Sequence, residues 1–331
     1  MKTGFKRFSA LLLSAVMLTA TLVSCGEKKK SITVYASSED FRIEMAQKMV
    51  NEKFPEYDVK IEYMSTGDLS AKMIAEGKDA DADIIYELEN PYLEKISDNL
   101  ATLDNVDYSI FVDSLVSPNH KYVPLVIASG AIIINEKMLE EKGLPVPESY
   151  DDLLKPEYKG LISMPNPKSS GTGYIFYLSM VNERGEEAAL EYFDSLAENI
   201  SGQGFTTSGS GPMQALKMGE AAIALGLTMS AATENSNGSD YTIKYFEEGA
   251  PYTVYSSAVI EGRQNDEDVM KVFNYIVSDV CPKDKELFSP EKIYKDRDFT
   301  IENYPTDINY ADMKDVSDIN VKEDLLNKWK Y

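Results

Sequence analysis

The sequence predicts an α/β protein of two lobes, each a mostly parallel sheet flanked by helices, with a ligand cleft between the lobes. Short apolar strands alternate with amphipathic helices in the first part of the chain, which is typical of a parallel sheet covered by helices. The chain has 331 residues, a length that favours two packed lobes over one core. Segments rich in Ser, Thr and Gly separate several strands from helices, at the edge where open sheets bind ligands.

Each element is predicted from the period of its apolar residues. Period-two patterns or short apolar runs predict strands at residues 32–36, 59–63, 83–86, 160–164, 221–226 and 241–246. Apolar residues three to four apart predict helices that include residues 41–50, 69–75 and 188–196. The apolar run at 123–134 is longer than an ordinary strand. We therefore expect it to cross from one lobe to the other, and residues 252–260 to cross back.

The first residues predict an export signal. Lys2, Lys6 and Arg7 precede an apolar run at 10–23, which has the length of a signal-peptide core and is too short to span a bilayer. The run ends in Leu-Val-Ser-Cys, which resembles the lipobox of bacterial lipoproteins. We expect residues 1–24 to be a signal peptide and Cys25 to be acylated. An ordinary signal peptide followed by an unmodified cysteine is the alternative.

The remaining chain divides into a tether, two lobes and a tail. We expect residues 25–31 to form a lipidated tether that holds the protein on the extracytoplasmic side of the cell membrane. Residues 32–126 plus about 253–280 are predicted to form lobe 1, and residues 127–252 lobe 2. A C-terminal helical segment at 281–331 is predicted to pack on the lobes. Once Cys25 is acylated only Cys281 remains, which excludes an intrachain disulfide.

The charge of the chain restricts its partners. It carries 33 Lys and Arg against 55 Asp and Glu, a net charge of −22. Such a surface repels nucleic acid and anionic lipid, so we expect no nucleic-acid partner and membrane contact only through the lipid anchor. An anionic ligand must be held by a local site, because the overall field opposes it.

Three segments place Ser, Thr and Gly just before a helix. They are Ser-Ser-Glu at 37–39, Ser-Ser-Gly-Thr-Gly at 169–173 and Ser-Gly-Ser-Gly-Pro at 208–212. A helix N-terminus presents unpaired N–H groups and a partial positive charge, glycine allows close approach, and hydroxyls add donors. If the three segments face one cleft, they form an anion site that needs no cationic side chain. Taken singly, each segment is equally typical of ordinary helix capping.

Four motifs in order resemble one family of receptors. They are Ile-Thr-Val-Tyr-Ala-Ser at 32–37, Gly-Ala-Ile-Ile-Ile-Asn at 130–135, Pro-Asn-Pro-Lys-Ser-Ser-Gly-Thr-Gly at 165–173 and Gly-Glu-Ala-Ala-Ile-Ala at 219–224. Over residues 31–331 the chain resembles the type II periplasmic-binding-protein fold, in the ferric-iron, phosphosugar and aminoethylphosphonate group of ABC solute receptors. In that family the ligand lies between the lobes, which close around it by a hinge motion. A permease then recognises the closed form.

The resemblance and the three segments together give a set of candidate ligand-binding residues. Glu87 is included because a carboxylate after the strand at 83–86 could pair with an amine or hydroxyl of the ligand, although a solvated loop is the alternative. The set comprises Ser37, Ser38, Glu87, Ser129, Ser169, Ser170, Gly171, Thr172, Gly173, Ser208, Ser210 and Thr228. Tyrosines at 35, 174 and 255 and Lys168 are further candidates.

The chain differs from the ferric-binding members of this family at a segment that affects metal binding. Those members carry two adjacent tyrosines after the Gly-Glu-Ala-Ala segment, where this chain has Leu-Thr-Met-Ser at 227–230. The only histidine, His120, lies in a polar turn. We therefore expect no metal and no cofactor, with a ferric receptor that uses a synergistic anion kept as the alternative.

The predicted function is that of a monomeric substrate-binding lipoprotein of an ABC importer, which captures a small anionic solute bearing a phosphate, phosphonate or carboxylate. Its expected partners are the solute, an ABC permease and the permease's ATPase. A lipid-anchored enzyme or an adhesin is the alternative of a different class. The chain contains no G-x-S-x-G, no Walker A and no H-E-x-x-H motif, which argues against an enzyme.

Overall fold

The computed structural model describes residues 29–202 and 204–331. The predicted signal peptide and Cys25 lie outside the described residues. No helix in the described part is both long enough and apolar enough to cross a membrane.

The described residues form eight strands and eleven α-helices. The strands are β1 Lys30–Ala36, β2 Tyr57–Tyr63, β3 Ile84–Glu89, β4 Val123–Ile134, β5 Ile162–Ser163, β6 Ile223–Leu227, β7 Thr242–Lys244 and β8 Tyr252–Val259. The helices are α1 Asp40–Lys53, α2 Thr66–Glu76, α3 Asn90–Lys95, α4 Glu136–Glu141, α5 Gly171–Arg184, α6 Glu186–Ala197, α7 Gly211–Lys217, α8 Thr228–Ser236, α9 Glu267–Tyr275, α10 Cys281–Leu287 and α11 Ile319–Lys328.

The strands form one curled sheet in the order β2-β1-β3-β8-β4-β6-β5, with β7 also paired to β4. The β1–β2, β1–β3 and β5–β6 pairs are parallel. The pairs made by β8 and β4 are antiparallel. The α/β class is therefore confirmed, but the sheet is mixed where the sequence analysis expected mostly parallel strands. The reason is that the two crossing strands run against their neighbours.

Strand β4 joins the two halves of the sheet. Its first part, from Val123 to Ser129, pairs with β8, and its second part, from Gly130 to Ile134, pairs with β6 and β7. The strand is almost wholly buried along its length, which explains the continuous apolar run. We call β1, β2, β3, β8 and the first part of β4 the first half-sheet, and the remainder the second half-sheet.

Each half-sheet has its own hydrophobic core. Val34, Val123 and Phe273 belong to a core of the first half-sheet, whereas Ile132 and Phe193 belong to that of the second. Two cores on one curled sheet give the two-lobed architecture that the sequence predicts. The exact lobe boundaries stay a prediction.

The C-terminal segment is less helical than expected. After α10 the chain is irregular until α11. Tyr294 packs in the core of the first half-sheet, while Leu325 and Trp329 pack in that of the second. The segment thus contacts both cores through an irregular backbone, because its many Pro, Asn and Asp residues favour turns.

Strand β3 is longer than its sequence pattern indicated. The sequence pattern predicts that the strand ends at Tyr86 with Glu87 after it, but the strand continues through Glu87 to Glu89. Glu87 is 2% exposed and Glu89 is fully buried. The prediction was wrong here because two carboxylates in a strand look like loop residues unless their buried cationic partners are known.

Candidate functional site

Loops from both half-sheets enclose one small cavity, which we call the inner cavity. Most of its lining residues carry hydroxyls and stand at the start of a helix. They are Ser37, Ser38, Glu39, Asp40, Tyr63, Ser65, Thr66, Ser169, Ser170, Thr172, Gly209, Ser210 and Tyr255. The volume is about 20 Å³, which is room for about one water molecule. Many polar groups therefore converge on very little space.

Three of the longer helices begin at the inner cavity. Helix α1 follows Glu39, α2 follows Ser65 and α5 follows Ser170. The hydroxyls of Ser65 and Ser170 cap their helices, accepting from Asp68 N at 3.2 Å and from Gly173 N at 3.4 Å. The other first-turn N–H groups have no intrahelical acceptor, and each N-terminus carries a partial positive charge. This arrangement favours a bound anion.

The Ser38 hydroxyl is a candidate donor to the inner cavity, although it also lies near enough to the Glu87 carboxylate to favour its charged form. The residue is 1% exposed, and its hydroxyl makes no hydrogen bond of ordinary geometry within the described part of the chain. Leaving a buried hydroxyl without a partner costs about 1–3 kcal/mol. A ligand oxygen in the inner cavity would remove that cost.

The charges around the inner cavity are acidic. Its lining includes Glu39 and Asp40 but no Lys, Arg or His among the described residues. Burial raises the pKa of Glu39 to about 7, although the nearby Arg42 guanidinium opposes the shift. Near neutral pH the Glu39 carboxyl is therefore partly protonated, and the neutral carboxyl does not repel an anion.

A buried ion network supports the loop that carries Ser37 and Ser38. The guanidinium of Arg42, in α1, donates to both carboxylate oxygens of Glu87 at 2.5 and 2.6 Å and to those of Asp284 at 2.7 and 2.9 Å. Their side chains are each 2% exposed. Burial raises the pKa of Glu87, and Arg42 opposes this shift by attracting the carboxylate. One cation thus fixes α1, β3 and α10 relative to one another.

The backbone of Glu87 holds Ser37. Its carbonyl accepts from Ser37 N at 3.2 Å and from Ser37 Oγ at 2.5 Å. Glu87 has a φ of 62°, a left-handed conformation that costs about 1–3 kcal/mol in a residue other than glycine. The ion pairs of the Glu87 side chain hold the residue in this conformation. Its carbonyl group then orients Ser37, which lines the inner cavity.

Two glycines allow the half-sheets to meet at the inner cavity. Gly67 N, in α2, donates to Ser169 O at 3.2 Å, and a Cβ on Gly67 would lie 2.8 Å from Lys168 O. A Cβ on Gly171 would lie 1.8 Å from Glu89 Oε1. Because neither glycine has a side chain, α2 can approach the segment before α5, and α5 can approach Glu89 of β3.

A second buried ion pair connects the inner cavity to the C-terminal helix. The Tyr255 hydroxyl, which lines the inner cavity, donates to Glu89 Oε1 at 3.1 Å. The Lys322 ammonium, from α11, donates to Glu89 Oε2 and lies 4.0 Å from the centre of the Tyr174 ring. Burial lowers the pKa of Lys322, and Glu89 opposes this shift. Residues of both half-sheets and the tail thus meet behind one wall of the inner cavity.

The structure brings half of the predicted site residues to the inner cavity. Those that line it are Ser37, Ser38, Ser169, Ser170, Thr172 and Ser210. The others do not line it: Glu87, Ser129, Gly171, Gly173, Ser208 and Thr228. Ser129 Oγ donates to Thr228 Oγ1 at 2.9 Å, and both residues are fully buried. Both carboxylate oxygens of Glu87 accept hydrogen bonds from Arg42, so we propose that Glu87 supports the site, and its role as a ligand contact stays a prediction. Lys168 is exposed.

The sequence analysis missed the segment that precedes α2. Tyr63, Ser65 and Thr66 line the inner cavity, and Ser-Thr-Gly at 65–67 has the same design as the three segments that were recognised. The signal was present, because the buried helix positions Leu69 and Met73 follow directly. Asp40 was also missed, and no pattern distinguishes it from a solvated first-turn acid.

An outer cavity of about 230 Å³ adjoins the inner one. The two share Glu39, Asp40 and Ser210. The other residues that line the outer cavity come from α1, α7 and α8: Phe41, Glu44, Met213, Gln214, Lys217, Ser230 and Glu234. The two cavities together therefore offer a small end lined by hydroxyls and helix N-termini and a larger end of mixed polarity.

Comparison with known proteins gives consistent results. The sequence profile of a family described as bacterial extracellular solute-binding protein matches residues 80–289. An uncharacterized protein of Haemophilus influenzae is 27% identical over 274 residues, which cover 77% of this chain and 76% of that protein.

Solved structures show the same fold at low identity. The periplasmic binding protein AfuA from Actinobacillus pleuropneumoniae, with fructose-6-phosphate bound, superimposes with a TM-score of 0.78 at 21% identity, over 91% of this chain and 98% of that one. Iron-bound HitA from Pseudomonas aeruginosa has a TM-score of 0.71 at 19% identity, over 90% of this chain and 99% of that one.

Replacing Arg42 tests whether the ion network holds the site in place. We expect Arg42→Met to lower the free energy of unfolding by about 3–5 kcal/mol, because it leaves two carboxylates buried and unpaired. The matched control is Arg184→Met. Arg184 also joins two carboxylates, those of Asp151 and Glu248, but its side chain is 27% exposed, so its loss should cost about 1 kcal/mol or less.

Urea denaturation, first at neutral pH and then at lower pH, measures the free energy of unfolding of both variants. The loss in Arg42→Met should shrink as the pH falls, because protonation removes the unpaired charges. Equal and small losses in the two variants would show that the network does not hold the fold together.

Proposed function

The chain belongs to the family of bacterial extracellular solute-binding proteins, and from that premise we propose that it captures a small anionic solute at the inner cavity and delivers it to a membrane permease. The solute bears a phosphate, phosphonate or carboxylate group. The observation that carries the proposal is the convergence of three helix N-termini and several hydroxyls, from both half-sheets, on one cavity.

Backbone amides and hydroxyls can hold an anion without a cationic side chain. Each hydrogen bond to a charged oxygen contributes about 1.5–3 kcal/mol net. The first turns of α1, α2 and α5 supply amides, and Ser38, Ser170 and Thr172 supply hydroxyls. Several such bonds would give a useful affinity although the protein carries a net charge of −22.

The adjoining cavities indicate how the solute is oriented. Its oxyanion would occupy the inner cavity, and its organic part would extend into the outer cavity, where Gln214, Lys217 and Glu234 offer hydrogen bonds. The inner cavity is too small for a whole solute, so entry requires the half-sheets to separate. Because AfuA is similar in fold and its structure contains fructose-6-phosphate, phosphorylated sugars are the first solutes to test.

Closure around the solute is the proposed mechanism. The Gly67 N to Ser169 O hydrogen bond joins the two rims of the inner cavity, and a solute held from both sides would favour this closed arrangement. We propose that a permease with its ATPase recognises the closed form. We propose further that the chain acts as a monomer, tethered to the extracytoplasmic face of the membrane through acylated Cys25.

Ferric iron is a weaker candidate for this site. The inner cavity offers the hydroxyls of Tyr63 and Tyr255, and phenolates are the form that binds iron. Burial raises the pKa of Tyr255 well above its ordinary value, and Glu89 adds to the shift. The phenolate is therefore costly to form, and the described residues contain no group of three or more His, Cys, Asp or Glu that could hold a metal ion.

Ligand-dependent stabilisation tests the proposed site. We expect a solute at a hundred times its Kd to stabilise the protein by about 2.7 kcal/mol. Ser170→Ala combined with Thr172→Val should abolish the thermal upshift, because both hydroxyls line the inner cavity. A panel of sugar phosphates, phosphonates and carboxylates in a thermal denaturation assay gives the measurement.

The matched control replaces a Ser–Thr pair that does not line the inner cavity. Ser129→Ala with Thr228→Val removes two buried hydroxyls that bond to one another, so the thermal upshift should remain. If the control loses the upshift and the Ser170 and Thr172 variant keeps it, the solute binds elsewhere.

The pH dependence of affinity tests the role of Glu39. Its pKa is about 7, and the neutral carboxyl does not repel an anion, so affinity should fall as the pH rises through about 7. A one-unit rise of this pKa on binding corresponds to about a tenfold change in affinity. Calorimetric titration of the tightest solute from the panel measures this change.

Glu39→Gln provides the control for this titration. It carries no charge, so it should bind more tightly than the wild type above neutral pH, and only the solute's own ionisation should remain in its profile. Identical pH profiles for the wild type and Glu39→Gln would rule out the proposed effect of Glu39.

A further inference from the structure

A third cavity is lined by the C-terminal segment, and we call it the C-terminal cavity. It has a volume of about 320 Å³. Its lining comes from residues 290–310: Pro290, Glu291, Lys292, Phe299, Thr300, Ile301, Tyr304, Pro305, Thr306, Ile308 and Tyr310. None of these residues lines the inner or the outer cavity. A ligand here would therefore be distinct from the solute in the cleft.

Glu291 places a nearly buried carboxylate at this cavity. It is 6% exposed, and neither carboxylate oxygen forms a hydrogen bond of ordinary geometry with a described residue. The hydroxyls of Ser129, Tyr304 and Tyr310 lie near enough to favour its charged form. The buried Tyr304 hydroxyl also lacks a partner in the described chain. A buried carboxylate and a buried phenol thus stand together among hydroxyl neighbours that do not satisfy them at ordinary hydrogen-bond geometry, which is costly to a fold.

No cation of the described chain forms an ion pair with Glu291. Lys292 lines the same cavity, but its ammonium donates to Asp298 at 2.7 Å. The buried Lys285 ammonium donates to Ser289 Oγ at 3.3 Å. Burial raises the pKa of Glu291 to about 7, and Lys285 only partly opposes this shift. Above a pH of about 7 the cavity therefore contains a carboxylate that no cation of the described residues approaches within ion-pair distance.

The walls of the cavity specify what kind of cation fits. Phe299, Ile301 and Ile308 are partly buried and apolar, and the rings of Tyr304 and Tyr310 add aromatic surface that attracts cations. A calcium ion takes about six to eight oxygen ligands, and these apolar walls offer few of them. An organic ammonium satisfies both features, because its charged end can donate to Glu291 while its carbon body covers the apolar wall.

We propose that the C-terminal cavity binds a small organic ammonium ion, with Glu291 as its counter-ion and the Tyr304 hydroxyl as a second hydrogen-bond partner. Tyr310 is 40% exposed and lies at the open side, where the ligand would enter. This proposal does not rest on the proposed function of the cleft.

Calorimetric titration with benzylammonium tests the proposal, and benzyl alcohol serves as the uncharged probe of the same shape. We expect benzylammonium to bind the full protein and benzyl alcohol to bind at least about tenfold more weakly, since a charge-assisted hydrogen bond is lost. Glu291→Gln, which keeps the shape of the side chain, should weaken benzylammonium binding by a similar factor. Tyr304→Phe should weaken it to a smaller extent.

Two further measurements make the test specific. Benzylammonium affinity should rise with pH through about 7 in the wild type, as Glu291 ionises, and should stay flat in Glu291→Gln. The variant with Ser170→Ala and Thr172→Val should bind benzylammonium normally, because its changes lie in the inner cavity. Absence of binding, equal binding of benzyl alcohol, or unchanged binding by Glu291→Gln would each overturn the proposal.

Discussion

The buried guanidinium of Arg42 is the interaction on which the candidate site depends. It joins α1 to Glu87 in β3 and to Asp284 in α10, three segments that are far apart in sequence. A buried ion pair is weak evidence for stability, because desolvation offsets most of the attraction. Its effect here is positional: α1 begins beside the inner cavity, and the strained backbone of Glu87 holds Ser37 at the cavity edge.

The charge balance explains how an acidic protein can accept an anion. The inner cavity has no cationic lining residue among those described, and two acids stand at its edge. The Arg42 guanidinium lies 3.6 Å from the Glu39 carboxylate, close enough to attract it. The hydrogen bonds of Arg42, however, go to Glu87 and Asp284. Attraction for an anion must then come from oriented amides and hydroxyls, which act at short range only. Such a site would select by geometry and not by charge alone.

Much of the fold was predictable from the sequence, because strands and helices of ordinary length leave clear apolar periods. The predicted crossing at 123–134 matches β4, and three hydroxyl-rich segments were recognised before their convergence was known. The buried carboxylates were not predictable in the same way. Glu87 and Glu89 are tolerated in a strand only because Arg42 and Lys322 reach them from distant parts of the chain. Pairings over such separations leave no local pattern, and neither does the approach of Gly171 to Glu89.

The central claim is that helix N-termini from both half-sheets hold the anion, and backbone amide chemical shifts test it most directly. In a two-dimensional amide spectrum of the deuterated protein, a saturating phosphorylated solute should move the amide protons of Thr66 and Thr172 downfield together. These residues lie in the first turns of α2 and α5, on opposite sides of the inner cavity. Shifts confined to one half-sheet, or centred on Ser129 and Thr228 instead, would contradict the account.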